Sequence, residues 1–193
     1  MRVNEIFYTL QGEGRNTGRA AVFVRLSGCN LQCPFCDTHH QAYTEMSEES
    51  IAAAVGAYPA RLVVITGGEP ALQLTATLVA RLHALGKSVA IETNGTRPLP
   101  EGIDWVTVSP KAAYTGAAGL PVLPRCDELK VVFDGVQDPE AQKCVEADYY
   151  YLHPCDTGDA ERNEEIVKQC VDYIKQHPEW RLSLQTHKLI NIP

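Results

Sequence analysis

The sequence predicts an α/β fold: an incomplete (partial) TIM-like barrel with a parallel sheet and an active site at the strand C-termini. Three observations carry that expectation. Apolar, strand-like runs alternate with crossovers along the chain, the order that builds a parallel sheet. About six or seven such runs in 193 residues are too few for a closed eight-unit barrel of the usual ~250 residues. Polar and glycine groups collect after nearly every run, and in a parallel barrel those ends open onto one face.

In chain order, Val3–Leu10 alternates loosely and runs into Gln11-Gly12-Glu13-Gly14. Two glycines there allow the backbone to approach a ligand, although a simple turn is the plainer reading. Residues 20–27 form the next strand and contain Arg25, which must face solvent or a site that needs a cation. Ser47 caps a helix whose first turn carries Glu48 and Glu49. The buried run Leu62–Ile65 ends in Thr66-Gly67-Gly68-Glu69-Pro70, and a helix from about Leu72 to Leu85 closes at Gly86. Val89–Ile91 ends in Glu92-Thr93-Asn94-Gly95, and Trp105–Val108 ends in Ser109-Pro110-Lys111. Ala112–Asp127 reads as a Gly/Pro-rich loop, Glu128–Phe133 as a strand, and Tyr149–Leu152 as a strand ending in His153-Pro154-Cys155-Asp156. The tyrosine run suits sheet packing better than base stacking. An amphipathic helix comes next, with Ile166, Val167, Cys170, Val171 and Ile174 on one stripe. A last strand over Trp180–Lys188 and an apolar tail to Pro193 complete the pattern. We read one domain over 1–193, with 1–19 an N-terminal β segment and substrate loop and 20–193 the partial barrel.

Apolar content of 45% and charge of 21% are ordinary for a globular chain, and a net charge of −7 argues against a nucleic-acid surface. No apolar run approaches bilayer length. The first ten residues lack the apolar core of a secretory leader, so a reducing cytoplasm is expected, with the seven cysteines free or ligating metal. Three of them, Cys29, Cys33 and Cys36, fall within eight residues as C-x3-C-x2-C, directly after the strand of residues 20–27. Such thiols converge on one inorganic centre while Gly28 lets the backbone turn around it. A zinc ion would need a fourth ligand, which His39 or His40 offers; a cubane iron–sulfur cluster takes three and leaves one iron open to a non-protein ligand. The spacing favours the cluster. Cys126, Cys144, Cys155 and Cys170 read as core fillers, and no role is assigned to the His39-His40 pair.

The cysteine motif followed by Gly-Gly-Glu-Pro after the next strand resembles the radical S-adenosylmethionine superfamily. Adding Leu10-Gln11-Gly12-Glu13-Gly14, Arg25, Cys36-Asp37-Thr38, Thr66, Glu92-Thr93-Asn94-Gly95 and Ser109-Pro110-Lys111, the chain is similar to the 7-carboxy-7-deazaguanine synthase family from Tyr8 onward. The resemblance implies a 4Fe–4S cluster on Cys29, Cys33 and Cys36 and an S-adenosylmethionine bound to its open iron. It implies a lyase of queuosine-type, 7-deazapurine biosynthesis that turns 6-carboxy-5,6,7,8-tetrahydropterin into 7-carboxy-7-deazaguanine with loss of ammonia, through hydrogen abstraction at C6 by a 5′-deoxyadenosyl radical and ring contraction. By position, Phe35, Cys36, Asp37, Gly68, Ser109, Pro110, Lys111, His153, Pro154, Cys155 and Asp156 would contact the adenosyl cofactor. Leu10, Gln11, Gly12, Arg25, Thr66 and the Pro193 carboxylate would contact the pterin. Glu92 and His187 would join the catalytic groups, and Thr38 would bind Mg2+. An electron donor such as flavodoxin or ferredoxin and a homodimer are further expectations of the resemblance. A glycyl-radical activating enzyme acting on a polypeptide, or a zinc-binding module using the cysteines and His39, are the competing classes.

Overall fold

In the computed structural model, which describes residues 1–36, 38 and 41–193, the strands share one sheet in the order β3-β1-β2-β4-β5-β6-β7-β8-β9. They are β1 (Arg2–Leu10), β2 (Ala20–Leu26), β3 (Thr44–Glu45), β4 (Leu62–Gly67), β5 (Ser88–Thr93), β6 (Trp105–Val108), β7 (Arg125–Phe133), β8 (Glu146–Pro154) and β9 (Trp180–Leu182). From β2 onward through β4 to β9 every neighbouring pair is parallel, while β1 and β3 add an antiparallel edge. Among the described residues the sheet does not close, as an incomplete barrel requires.

Two-residue periodicity divides this sheet into faces with different tasks. Val22, Val24 and Leu26 of β2, with Val63, Ile65, Val89 and Ile91, pack under α1 (Glu48–Gly56) and α2 (Ala76–Ala84) through Ile51, Val55, Leu78 and Leu82. Leu129, Val131 and Leu152 pack under α4 (Ala160–Gln176) through Ile166 and Cys170, with Trp180 beside them. The short helix α3 (Ala112–Thr115) lies between β6 and β7. The opposite parity of the same strands holds a small apolar floor, Ala21, Leu62, Val64 and Ala90, and then the polar groups of the site. Among the described residues no helix is long and apolar enough to cross a membrane.

Ser47 caps α1 by accepting from the Ser50 amide at 3.2 Å, and Gly86 comes after α2 at φ 70°, as the sequence predicts. Other boundaries moved. The second helix starts at Ala76, not near Leu72, because Pro70–Leu72 is a 3-10 turn and Thr75 takes the capping role, accepting from Leu78 N at 3.1 Å. The 112–127 tract holds α3 and a 3-10 turn at Gly116–Gly119, and β7 already begins at Arg125. On α4, Val171 is 40% exposed. It lies about 140° around the helix from Ile166 and so leaves the buried stripe. The last strand ends at Leu182, and Thr186–Leu189 forms a short helix, α5, because the Thr186 amide turns in to donate to Gly12 O at 3.0 Å. Cys144 is exposed and not a core filler, whereas Cys126, Cys155 and Cys170 are buried. The tyrosines pack as expected, Tyr149 on Trp105 and Tyr150 on Trp180.

Candidate active site

At the C-terminal ends of the parallel strands lies a cavity of about 500 Å³, the size of a small-molecule pocket. The parity that buries Val22, Val24 and Leu26 under helices sends Arg25 inward, and it does the same for Thr66, Glu92, Lys130 and His153 on their strands. Cys29, Cys33 and Cys36 line one wall, none of them in a disulfide.

The cysteine loop is fastened by the turns after β4 and β5. Gly68 N donates to Leu26 O at 3.0 Å and Glu69 N to Gly28 O at 2.9 Å, so the glycine turn lies directly against the loop's first residues. Glu69 is fully buried and accepts from Thr93 Oγ1, Asn94 N and Ala71 N at 2.7, 2.7 and 2.9 Å. Asn94 Nδ2 then donates to Asn30 Oδ1 at 3.1 Å, and Asn30 Nδ2 to Thr96 Oγ1 at 2.8 Å. Gln73 ties in from the other side, its amide donating to Ser27 O at 2.7 Å. Within the loop Cys36 N donates to Cys33 O at 3.2 Å, and the Leu31 amide points at Cys29 Sγ at 3.4 Å. Burial raises the Cys29 and Cys33 thiols, with the Lys111 ammonium opposing it at Cys33.

The remaining wall is charged. Lys130 is 5% exposed and places Nζ 2.6 Å from both Glu13 and Glu92. Burial depresses Lys111 to about 8, and its Nζ donates to Ser109 O at 3.0 Å and to Ser109 Oγ at 2.5 Å. His153 is buried, and desolvation lowers it. Glu128, 2% exposed, is raised by burial and accepts from Arg15 N at 2.9 Å. Arg25 lies over the Phe7 ring and donates through Nε to Glu5 at 2.7 Å. That contact uses one of the five N–H donors of a guanidinium.

The cavity brings together Leu10, Gln11, Gly12, Arg25, Thr66, Glu92, His187 and Pro193 with Phe35, Cys36, Thr38, Gly68, Ser109, Lys111, His153, Cys155 and Asp156. Pro110 and Pro154 do not line it; Pro110 lies between Ser109 and Lys111, and Pro154, the last residue of β8, between His153 and Cys155, which do. Asp37, His39 and His40, hence the Asp37 contact and the fourth zinc ligand, lie outside the described residues. Gln11, Gly12 and Glu13 of the turn after β1 line the cavity wall. Sequence reasoning assigned nothing to Glu13, Glu69, Glu128 or Lys130 individually. Glu13 and Glu69 sit inside glycine-containing motifs, but Lys130 reads as one polar position in an apolar strand, and only its parity with Glu128 signals an inward face.

The donor set fits an iron–sulfur cluster with an organic cofactor beside it. Three thiols face one cavity, and a Cβ at Gly68 would collide with Gly28 O and sit 3.1 Å from Cys29 Cβ, so backbone is bare beside the thiols.

The family described as "Radical SAM superfamily" matches residues 23–118. A 7-carboxy-7-deazaguanine synthase from Bacteroides thetaiotaomicron is 52% identical over 191 residues, covering 99% of this chain and 98% of the relative. The one from Bordetella pertussis is 46% identical, covering 99% and 98%. The crystal structure of QueE from Escherichia coli superposes with a TM-score of 0.75 at 30% identity, over 95% of this chain and 92% of that one.

Proposed function

Since the chain belongs to the 7-carboxy-7-deazaguanine synthase family, radical S-adenosylmethionine enzymes of deazapurine biosynthesis with a 4Fe–4S cluster, we propose how this cavity performs that chemistry on 6-carboxy-5,6,7,8-tetrahydropterin. The observation that supports it best is the meeting of three thiols with Arg25, Gln11, Glu92 and His187 in one cavity. Bound together, cluster and S-adenosylmethionine supply a carbon-centred radical able to take the substrate's C6 hydrogen. Cys29, Cys33 and Cys36 hold the iron. Phe35, Gly68, Ser109, Lys111 and the 153–156 loop bind the adenosyl cofactor, Gly68 being packed directly on the cysteine loop because it lacks a side chain. Arg25 takes the substrate carboxylate through charge-assisted bonds. Gln11, Glu92 and His187 meet the polar edge of the pterin, while Leu10, Gly12, Thr66 and Pro193 shape its seat. Thr38 offers a hydroxyl oxygen to Mg2+, the hard donor such an ion prefers. The chain acts as a single domain in the cytoplasm, as a homodimer reduced by a flavodoxin- or ferredoxin-type donor.

Anaerobically reconstituted protein given the carboxytetrahydropterin deuterated at C6, S-adenosylmethionine and reductant tests this reading. Deazaguanine acid should accumulate, and deuterium should appear in recovered S-adenosylmethionine. Colourless protein with zinc, or no product from brown protein, would refute it.

Arg25→Ala isolates the carboxylate contact. Truncating one partner of a buried charged pair costs about 2–5 kcal/mol, so the apparent KM should rise by about 30-fold or more while iron content stays normal. Unchanged kinetics would leave Arg25 its contacts with Glu5 and the Phe7 ring.

A further inference from the structure

Lys130 is the most deeply buried cation of the cavity, and its bonds do not end at the two carboxylates. The second oxygen of each carboxylate is taken by an amide: Gln11 Nε2 donates to Glu92 Oε1 at 2.9 Å, and Gln185 Nε2 to Glu13 Oε1 at 3.3 Å. A continuous chain, Gln11–Glu92–Lys130–Glu13–Gln185, thus crosses the pocket. It joins the loop after β1 and the segment after β9 to strands β5 and β7. The backbone takes the same path. Gly14 N donates to Ser183 Oγ at 3.0 Å, Thr186 N to Gly12 O at 3.0 Å, and Gly12 lies so close to His187 that a Cβ there would collide with its ring.

A buried ammonium is costly unless its partners are close, and breaking such a set strands the remaining charge. We propose that Lys130 is the positioning residue of the substrate pocket: by clamping Glu13 and Glu92 it fixes the 11–14 loop, and through that loop His187. The proposal rests on the functional reading above. The charged groups facing this clamp are Glu128 on β7, His153 on β8, Lys111 after β6 and His187 on α5. Of these, His153 and His187 act on Glu13 together with Lys130. Burial raises its carboxyl, but Lys130, then His153 and His187, outweigh burial and hold it well below the ordinary carboxylate range.

The pH effect has a definite sign. A depressed carboxyl stays ionised far into acid, so an acceptor role for Glu13 persists there; without the ammonium it takes up its proton at higher pH. In reconstituted holoenzyme, Lys130→Met should lower kcat/KM by about 30-fold or more. It should shift the acid limb of that profile upward in pH and leave iron content unchanged. Lys130→Arg should restore the limb and part of the activity. Hydrogen exchange needs no substrate: Gly14 and Thr186 amides should exchange faster in Lys130→Met, with α4 amides as before. If Lys130→Met does not fold, Lys130→Gln, which keeps a donor but removes the ammonium charge that bridges both carboxylates, is read by the same acid limb and exchange. An unmoved acid limb with unchanged Gly14 and Thr186 exchange in the folded charge-removing variant overturns the proposal. Failure of wild-type enzyme to convert the pterin would overturn the functional reading instead, and the exchange result would still judge the clamp.

Discussion

Replacing Cys33 by alanine should abolish both cluster assembly and turnover, because a cubane held by three thiolates has no spare protein ligand. Cys29→Ala and Cys36→Ala should behave alike, although the three thiols differ in setting: Cys29 and Cys33 are half-buried and Cys36 is exposed. The control is Cys170→Ala. That thiol is wholly buried between α4 and the sheet, away from the cavity, and its pKa is pushed up to about 12 by burial alone. Its loss should leave iron, sulfide and activity in place. Iron and sulfide per chain, with the visible absorption of the reconstituted protein, read the result, and full activity in Cys33→Ala would sink the cluster assignment.

Gly67→Ala should be the most destabilising single methyl that can be added beside the site. Gly67 sits at φ 127°, a conformation L side chains rarely adopt, and an added Cβ would strike the backbone of Leu26, its partner in the β2–β4 pairing. Backbone strain of about 1–3 kcal/mol and overpacking of about 1–3 kcal/mol both apply. Together they remove a large part of a stability that is typically about 5–15 kcal/mol. For a domain of this size the midpoint of thermal unfolding should fall by about 5–20 °C. Gly68→Ala acts differently. Its methyl would press on Gly28 and Cys29, so it should lower cluster content more than it lowers the melting temperature. A Gly67→Ala protein melting with the wild type would show that β2 and β4 can separate at no cost.

Gly67 ends β4 and Gly68 begins the turn after it, a motif plain in the sequence, and other features were legible in the same way. Strand existence, the parallel order and the convergence of strand ends were readable because period-two apolar runs and the glycine turns after them are local signals. The cysteine spacing was readable for the same reason. Helix starts were less so: nothing local forbids a helix over Leu72–Gln73 until Pro70 is seen to form a 3-10 turn and Thr75 to cap the helix beginning at Ala76. The site's charged wall was least legible. Lys130 acquires its meaning only from Glu13, 117 residues away, and Glu92, 38 residues away. His187 was expected near the end of a strand, yet its place is set by Gly12. Pairings of that separation leave no periodicity.

The bonds between the 11–14 loop and the 183–187 segment bear on how the molecule comes to be. Thr186 and Gly12 are 174 residues apart, whereas the cysteine loop is secured by partners at most 66 residues away among its side-chain contacts, Asn94 and Thr96. Long-range closures form late, because loop entropy must be overcome before the contact repays it. During vectorial synthesis the wall that holds the thiols can therefore organise around β2, β4 and β5 while the opposite wall is still missing. Until that wall closes, the thiols would stay open on the side that the 11–14 loop and the 183–187 segment cover in the folded chain.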